Sequence, residues 1–335
     1  MSLVPIAPLR RFSLRGEACQ YEGRAQDTEP LFGGHVMKGQ ATMFYAPPNT
    51  GKTLITLHLI EVAIIEKRID PDKLYYVNAD DSSKGLAEKL RLLQDLGAHV
   101  LVPGQKGFKS GDLQELLVKT AQLDVARDSC IIIDVLKRFT PLNDKKLTTE
   151  FAEACRQFVM AGGTILALGH TTKSPNPDGT PRYAGTTDIL EDFDAVYVVV
   201  PLAAKVDKGE KAVQFTKLKS RADSPDEVVY AYAAENGITY QERLASVRLV
   251  DPDDMRDYRT TAQVEDYKVA MQIAELIDAG FEGGQMALGR AAAKECGVSE
   301  RTALAVLQRY TGTDYYWTFR KGSRGVRLYE RQFPG

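Results

Sequence analysis

Between about residues 29 and 250, short apolar runs alternate with stretches whose apolar positions recur at helical spacing. Ala41-Thr-Met-Phe-Tyr45, Lys73-Leu-Tyr-Tyr-Val-Asn-Ala79, Ser129-Cys-Ile-Ile-Ile133 and Gly163-Thr-Ile-Leu-Ala-Leu168 read as strands, the third and fourth buried on both faces. Residues 54–60, 82–96 and 151–159 carry the helical period between them. Strand and helix in alternation predict an α/β domain around a largely parallel sheet. Residues 195–200, 212–218 and 228–232 predict further strands late in that domain. The chain turns polar around Asp251-Pro-Asp-Asp254 and Thr260-Thr261, which reads as a linker over 251–262. Beyond it, 264–277, 287–295 and a segment capped by Ser299 and running to about Arg309 predict three helices, with Gly297 as a stop. Residues 315–320 and 326–330 flank a basic, glycine-bearing tip, as in a β-hairpin. Helices followed by a basic hairpin describe a small α+β winged helix over 263–335. The first 28 residues, with Arg10, Arg11, Arg15 and Arg24, show no firm period and predict a flexible arm or a strand that pairs elsewhere.

Composition narrows the function classes. The 335 residues are 44% hydrophobic and 26% charged, with a net charge of −2, so the whole molecule is no polycation. Any nucleic-acid site must be a local patch. The C-terminal segment supplies one, with nine basic and four acidic residues between 285 and 335. Cys19, Cys130, Cys155 and Cys296 form no CxxC pair and read as ordinary thiols, buried at 130 and 155. No apolar run has the length of a membrane span or of a signal-peptide core, which predicts a cytoplasmic protein without membrane contact.

The chemistry concentrates after the first of those strands. Ala46-Pro47-Pro48-Asn49-Thr50-Gly51-Lys52-Thr53 is a phosphate-binding loop with only its first glycine changed, set between a strand and the amphipathic run Leu54–Ile60. In that setting backbone N–H groups wrap phosphate and the helix directs its positive dipole end at it. Lys52 is expected on the β- and γ-phosphates, and the Thr53 hydroxyl on Mg²⁺. Asp134, closing the Ile131-Ile-Ile133 strand, stands where a second acid would reach the metal through water. The sequence thus predicts binding of a nucleoside triphosphate, with ATP and Mg²⁺ as cofactors.

The order of phosphate loop, Asp80-Asp81 at a strand end, Ile-Ile-Ile-Asp134 and Gly169-His-Thr-Thr-Lys173 resembles the RecA-like ATPases, especially the RepA-type hexameric helicases of plasmids and phages. The likeness spans roughly residues 29–235 and implies a RecA-like P-loop core. It implies that Asp80 or Asp81 activates the attacking water, with Asp80 preferred and the other capping a helix, although glutamate is usual there. It implies that His170 senses the γ-phosphate. Two loops would face a central channel and track single-stranded DNA: Lys137, Arg138, Lys145 and Lys146 in the first, Lys173, Arg182 and the base-stacking Tyr183 in the second. Lys219 and Arg221 would reach a neighbouring subunit's nucleotide, making a homo-oligomer, expected to be a hexamer. In the winged helix, Arg301 would approach a major groove and Lys321 and Arg324 phosphate, unless that module binds duplex DNA less than it binds a replication protein. The functional expectation is a replicative DNA helicase of a plasmid, phage or mobile element. The alternatives are an ATP-switched DNA-binding or recombination-mediator protein, and a regulatory ATPase.

Overall fold

The computed structural model describes residues 10, 13–24, 29–81, 83–142, 144–172, 183–185, 187–203, 209–251, 254, 259–312, 317–322 and 325–331. Helix α1 (Ala18–Arg24) precedes a small antiparallel pair, β1 (Pro30–Phe32) and β2 (Val36–Met37). Five strand–helix units follow: β3 (Ala41–Ala46) with α2 (Lys52–Ile65), β4 (Leu74–Asn78) with α3 (Ser83–Asp95), β5 (His99–Leu101) with α4 (Asp112–Gln122), β6 (Cys130–Asp134) with α5 (Lys145–Met160), and β7 (Thr164–His170) with α6 (Thr187–Asp192). Then come β8 (Ala195–Ala203), β9 (Glu210–Ser220), β10 (Glu227–Ala233), α7 (Tyr240–Ala245), β11 (Arg248–Leu249) and β12 (Arg259–Thr260). The chain finishes with α8 (Thr261–Asp278), α9 (Gln285–Cys296), α10 (Glu300–Arg309) and the hairpin β13 (Trp317–Lys321)–β14 (Arg327–Arg331).

The main sheet runs β11-β10-β9-β8-β3-β7-β6-β4-β5, with β12 paired to the far end of β8. From β8 to β5 the strands are parallel, and β9, β10 and β11 extend the sheet antiparallel. Strands buried on both faces read as continuous apolar runs, and the side chains of β3 show the cause. Phe44 and Ala46 join the core under α2, whereas Ala41, Met43 and Tyr45 join the opposite core under α4 and α5. Cys130 and Ile132 of β6 divide from Ile131 and Ile133 in the same way. Burial raises both core thiols, Cys155 to about 12. The result is an α/β fold with a mostly parallel sheet between helical layers.

Two boundaries differ from the sequence reading. Helix α5 begins at Lys145 rather than at 151, because the Asp144 carboxylate accepts from the Leu147 N–H at 3.1 Å and caps it. The polar stretch read as a linker contributes β12 to the sheet, and α8 starts directly after it at Thr261. The C-terminal helices and hairpin close over a core of their own centred on Trp317, which is fully buried and donates its indole N–H to the Leu307 carbonyl at 3.0 Å.

Asp194 ties the lower edge of the sheet together. Its buried carboxylate accepts from the Ala41 N–H at the start of β3, from Arg156 of α5 and from Arg221 after β9, each at 2.9 Å. Losing that carboxylate strands a partly buried guanidinium and a buried backbone donor together. Asp194→Ala is therefore expected to cost about 3 kcal/mol in urea unfolding, with the slope of the transition unchanged.

Candidate active site

Strand register brings the sequence-predicted groups to one edge of the sheet. Ala46 lies opposite His170 on neighbouring strands, Leu168 opposite Asp134, and Asp134 opposite Asn78, two residues before Asp80. The phosphate loop, the acid of β6, the acids after β4 and the histidine of β7 therefore share the carboxyl ends of four adjacent parallel strands, where open α/β sheets bind ligands.

Ala46 is a fully buried strand residue, so the loop loses nothing by lacking a glycine there. The left-handed backbone positions fall at Asn49, with φ 62°, and Gly51, with φ 95°. Glycine is required at 51 for a second reason: a Cβ would meet the Tyr232 hydroxyl at 2.5 Å. Tyr232 also reaches the Thr50 carbonyl at 3.4 Å, bracing the loop from β10. Thr50 donates to the Pro47 carbonyl at 2.7 Å, and Lys52 and Thr53 open α2.

Below the loop sits a compact charge cluster. One oxygen of Asp134 accepts from the Tyr76 hydroxyl at 2.5 Å and from Lys89 at 3.0 Å, and lies 3.4 Å from the Thr53 hydroxyl. Lys89 also contacts Asp81 at 2.6 Å, and Asp81 accepts from Asn78 at 2.7 Å. Burial alone would raise the Asp134 carboxyl, but the Lys89 and Lys52 charges with the Tyr76 hydroxyl outweigh it and hold it below its ordinary value. Burial likewise would lower Lys89, and the two aspartates reverse that. Lys52 has no such surplus: burial outweighs Asp134 and Asp80 and lowers it from 10.5 to about 8.

Lys89 escaped the sequence reading, although a signal was there. It occupies the inward stripe of α3, one turn before the buried Leu93, where an apolar residue is expected. Its engagement also separates the two aspartates. Asp81 is held by Lys89 and Asn78, while Asp80 faces the cleft with His170 Nε2 at 3.4 Å, Arg138 at 3.7 Å and Lys137 at 3.8 Å. Burial and the nearby Lys52 lower His170 despite Asp80, which favours its uncharged form.

The remaining candidates divide. Lys137 and Arg138 form a turn directly after Val135 and stand beside Asp80. Lys145 and Lys146 are not in that loop but in the first turn of α5, with Lys146 paired to Glu150 at 3.9 Å. Tyr183 cannot stack on a base. Its ring is buried edge-on against Tyr45 at 5.5 Å, and glycines at 169 and 185 make room for it, since a Cβ on either would meet the ring at 2.9 or 2.7 Å. Lys173, Arg182 and Arg324 lie outside the described residues. Lys219 reaches the carbonyls of Leu190 and Glu191, and Arg221 pairs with Asp194, with Ser220 level with Ala195 and Thr42. That is the opposite edge of the sheet from the phosphate loop, about 13 Å of strand away. In the C-terminal unit, Arg290, Arg309, Arg320 and Arg331 are paired with acids, whereas Arg301 and Lys321 are exposed and have no acidic partner among the described residues.

A P-loop followed by two acidic strand ends, with β7 interposed between the phosphate-loop strand and the β6 acid, defines a P-loop ATPase with a RecA-like core. The chain belongs to the AAA domain family, whose pattern matches residues 8–176, about half of it. Among solved structures it is similar to the flagellar accessory protein FlaH of Methanocaldococcus jannaschii, at 12% identity and a TM-score of 0.44, over 65% of this chain and 92% of that one. No curated protein matches the sequence. No described helix is long and apolar enough to cross a membrane.

The lowered Lys52 gives a pH prediction. Between about 8 and 10.5 the folded chain holds fewer protons than the unfolded one, so fold stability rises with pH across that window. Anion binding runs the opposite way, because it needs the ammonium. Affinity for ATP is expected to fall as pH rises past about 8, and Lys52→Arg should flatten that fall in a binding titration from neutral to alkaline pH.

Proposed function

We propose that the protein is an ATP-driven motor on single-stranded DNA, a ring-forming replicative helicase of a plasmid, phage or mobile element. The observation that carries this reading is the company of Asp80. The cations nearest Asp80, Lys137 and Arg138, belong to the exposed turn after β6. A polyanion laid along that turn would compete for the same cations, which couples DNA contact to the state of the acid.

In this reading ATP is taken at the phosphate loop with Lys52 on its terminal phosphates. Thr53 and Asp134 supply the hard oxygen donors that suit Mg²⁺, which when bound neutralises charge on the phosphates. Asp80 orients and deprotonates water, and His170, in contact with it, registers loss of the γ-phosphate. Lys219 and Arg221, on the far edge of the sheet, serve a neighbouring subunit's nucleotide, which requires a ring such as a hexamer. Arg301 and Lys321 are the C-terminal residues offered to DNA, and a replication protein is the other candidate partner there. One observation favours a second reading, an ATP switch for DNA binding or recombination without translocation: both candidate acids are aspartates, one methylene shorter than glutamate, and Asp81 is committed to Lys89.

ATP turnover with and without single-stranded DNA tests the choice. The motor predicts strong stimulation that vanishes in Lys52→Ala, while tight ATP binding with little turnover on any DNA would favour the switch. Shared sites make a further prediction. Arg221→Ala should lower turnover by ~10³-fold, and mixing it with Lys52→Ala subunits should restore part of the activity, because each supplies what the other lacks.

A further inference from the structure

The cleft at the strand ends has a volume of about 1110 Å³. Asp80, Lys137 and His170 line it beside the phosphate loop, and Lys211, Tyr232, Ala234, Tyr240 and Arg243 complete its wall. With the terminal phosphate beside Asp80 and His170, the nucleoside lies against the part of the wall that the loop and the acids do not supply. That step rests on the triphosphate reading of the phosphate loop.

Arg243 is the half-buried cation of that wall. No acid pairs with it among the described residues. Its neighbour Glu242 is committed elsewhere, accepting from the Thr239 N–H at 2.7 Å and from the Thr239 hydroxyl at 2.8 Å. The same reciprocal cap fixes the start of α7 and so presents Arg243 from a defined turn. What the cleft wall offers there is a planar guanidinium without an acidic partner among the described residues, and its plane suits the face of a base. Tyr232 links this wall to the phosphate loop, because its hydroxyl rests on Thr50 and abuts Gly51.

We propose that Arg243 is the nucleoside clamp of the site, binding the base and ribose of the triphosphate while the phosphate loop binds its anionic end. The clamp makes the protein discriminate a nucleotide from a bare polyphosphate.

Two probes titrated into the full chain test this: ATP, and inorganic tripolyphosphate, which has the anionic end alone. Arg243→Ala is expected to weaken ATP about tenfold and to leave tripolyphosphate unchanged. Arg243→Lys should fall between, since it keeps the charge and loses the plane. The ratio of the two affinities is the readout, so a partly unfolded variant, which loses both ligands equally, does not mimic the effect. An unchanged ratio in both variants overturns the clamp and leaves the phosphate loop standing. A wild-type chain that binds neither probe overturns the phosphate-loop reading and the clamp with it.

Discussion

A single buried carboxylate oxygen organises the site. Asp134 Oδ2 receives a phenol and an ammonium and stands within reach of the Thr53 hydroxyl, at the closed bottom of the sheet edge. An isolated carboxylate there would take up a proton rather than bear several kcal/mol of desolvation. Three groups drawn from β4, α3 and α2 reverse that outcome, and its acidity rises instead of falling. The cost is that each of those elements must dock accurately, since removing any donor leaves a buried charge undersupplied. The arrangement thus ties the phosphate loop's helix to the sheet through chemistry as well as through apolar packing.

The same cluster assigns work to the two neighbouring aspartates. Lys89 spans Asp134 and Asp81 and pairs with both, which commits Asp81 to structure. Asp80 is left at the mouth with longer contacts to His170, Lys137 and Arg138. Those longer contacts leave Asp80 available for the water-activating role proposed for it, which a short ion pair would oppose. Position on the sheet separates the roles of the cations as well. Lys52, Lys137 and Arg138 stand at the carboxyl edge with the phosphate loop, and Lys219 and Arg221 at the opposite edge, held by the Leu190 and Glu191 carbonyls and by Asp194.

Much of this was legible in the sequence because it follows from local rules. The apolar strands, the phosphate loop and the acids closing β4 and β6 announce themselves by run length and position. What escaped depends on long-range packing. Lys89 is eight residues past Asp81 and acquires its role only when α3 folds back over β6. Tyr183 looks like a loop residue beside basic neighbours, and its burial depends on glycines at 169 and 185 and on Tyr45. Lys145 and Lys146 read as loop because a polar stretch hid the Asp144 cap. The short strand β5 and helix α4, which buries Leu113 and Leu117, offered too little apolar pattern to be read. Arg243 lies on a six-residue helix far along the chain, with no motif around it.

The central claim is that an ionised Asp134, held by Lys89 and Tyr76, forms the metal–nucleotide side of the phosphate loop. Calorimetric titration of ATP with and without Mg²⁺ tests it most directly, in wild type and in the near-isosteric Asp134→Asn. The wild type is predicted to bind ATP markedly more tightly with the metal present, and the asparagine variant to lose that gain while still binding metal-free ATP. A variant that folds and keeps the full gain from Mg²⁺ would contradict the account.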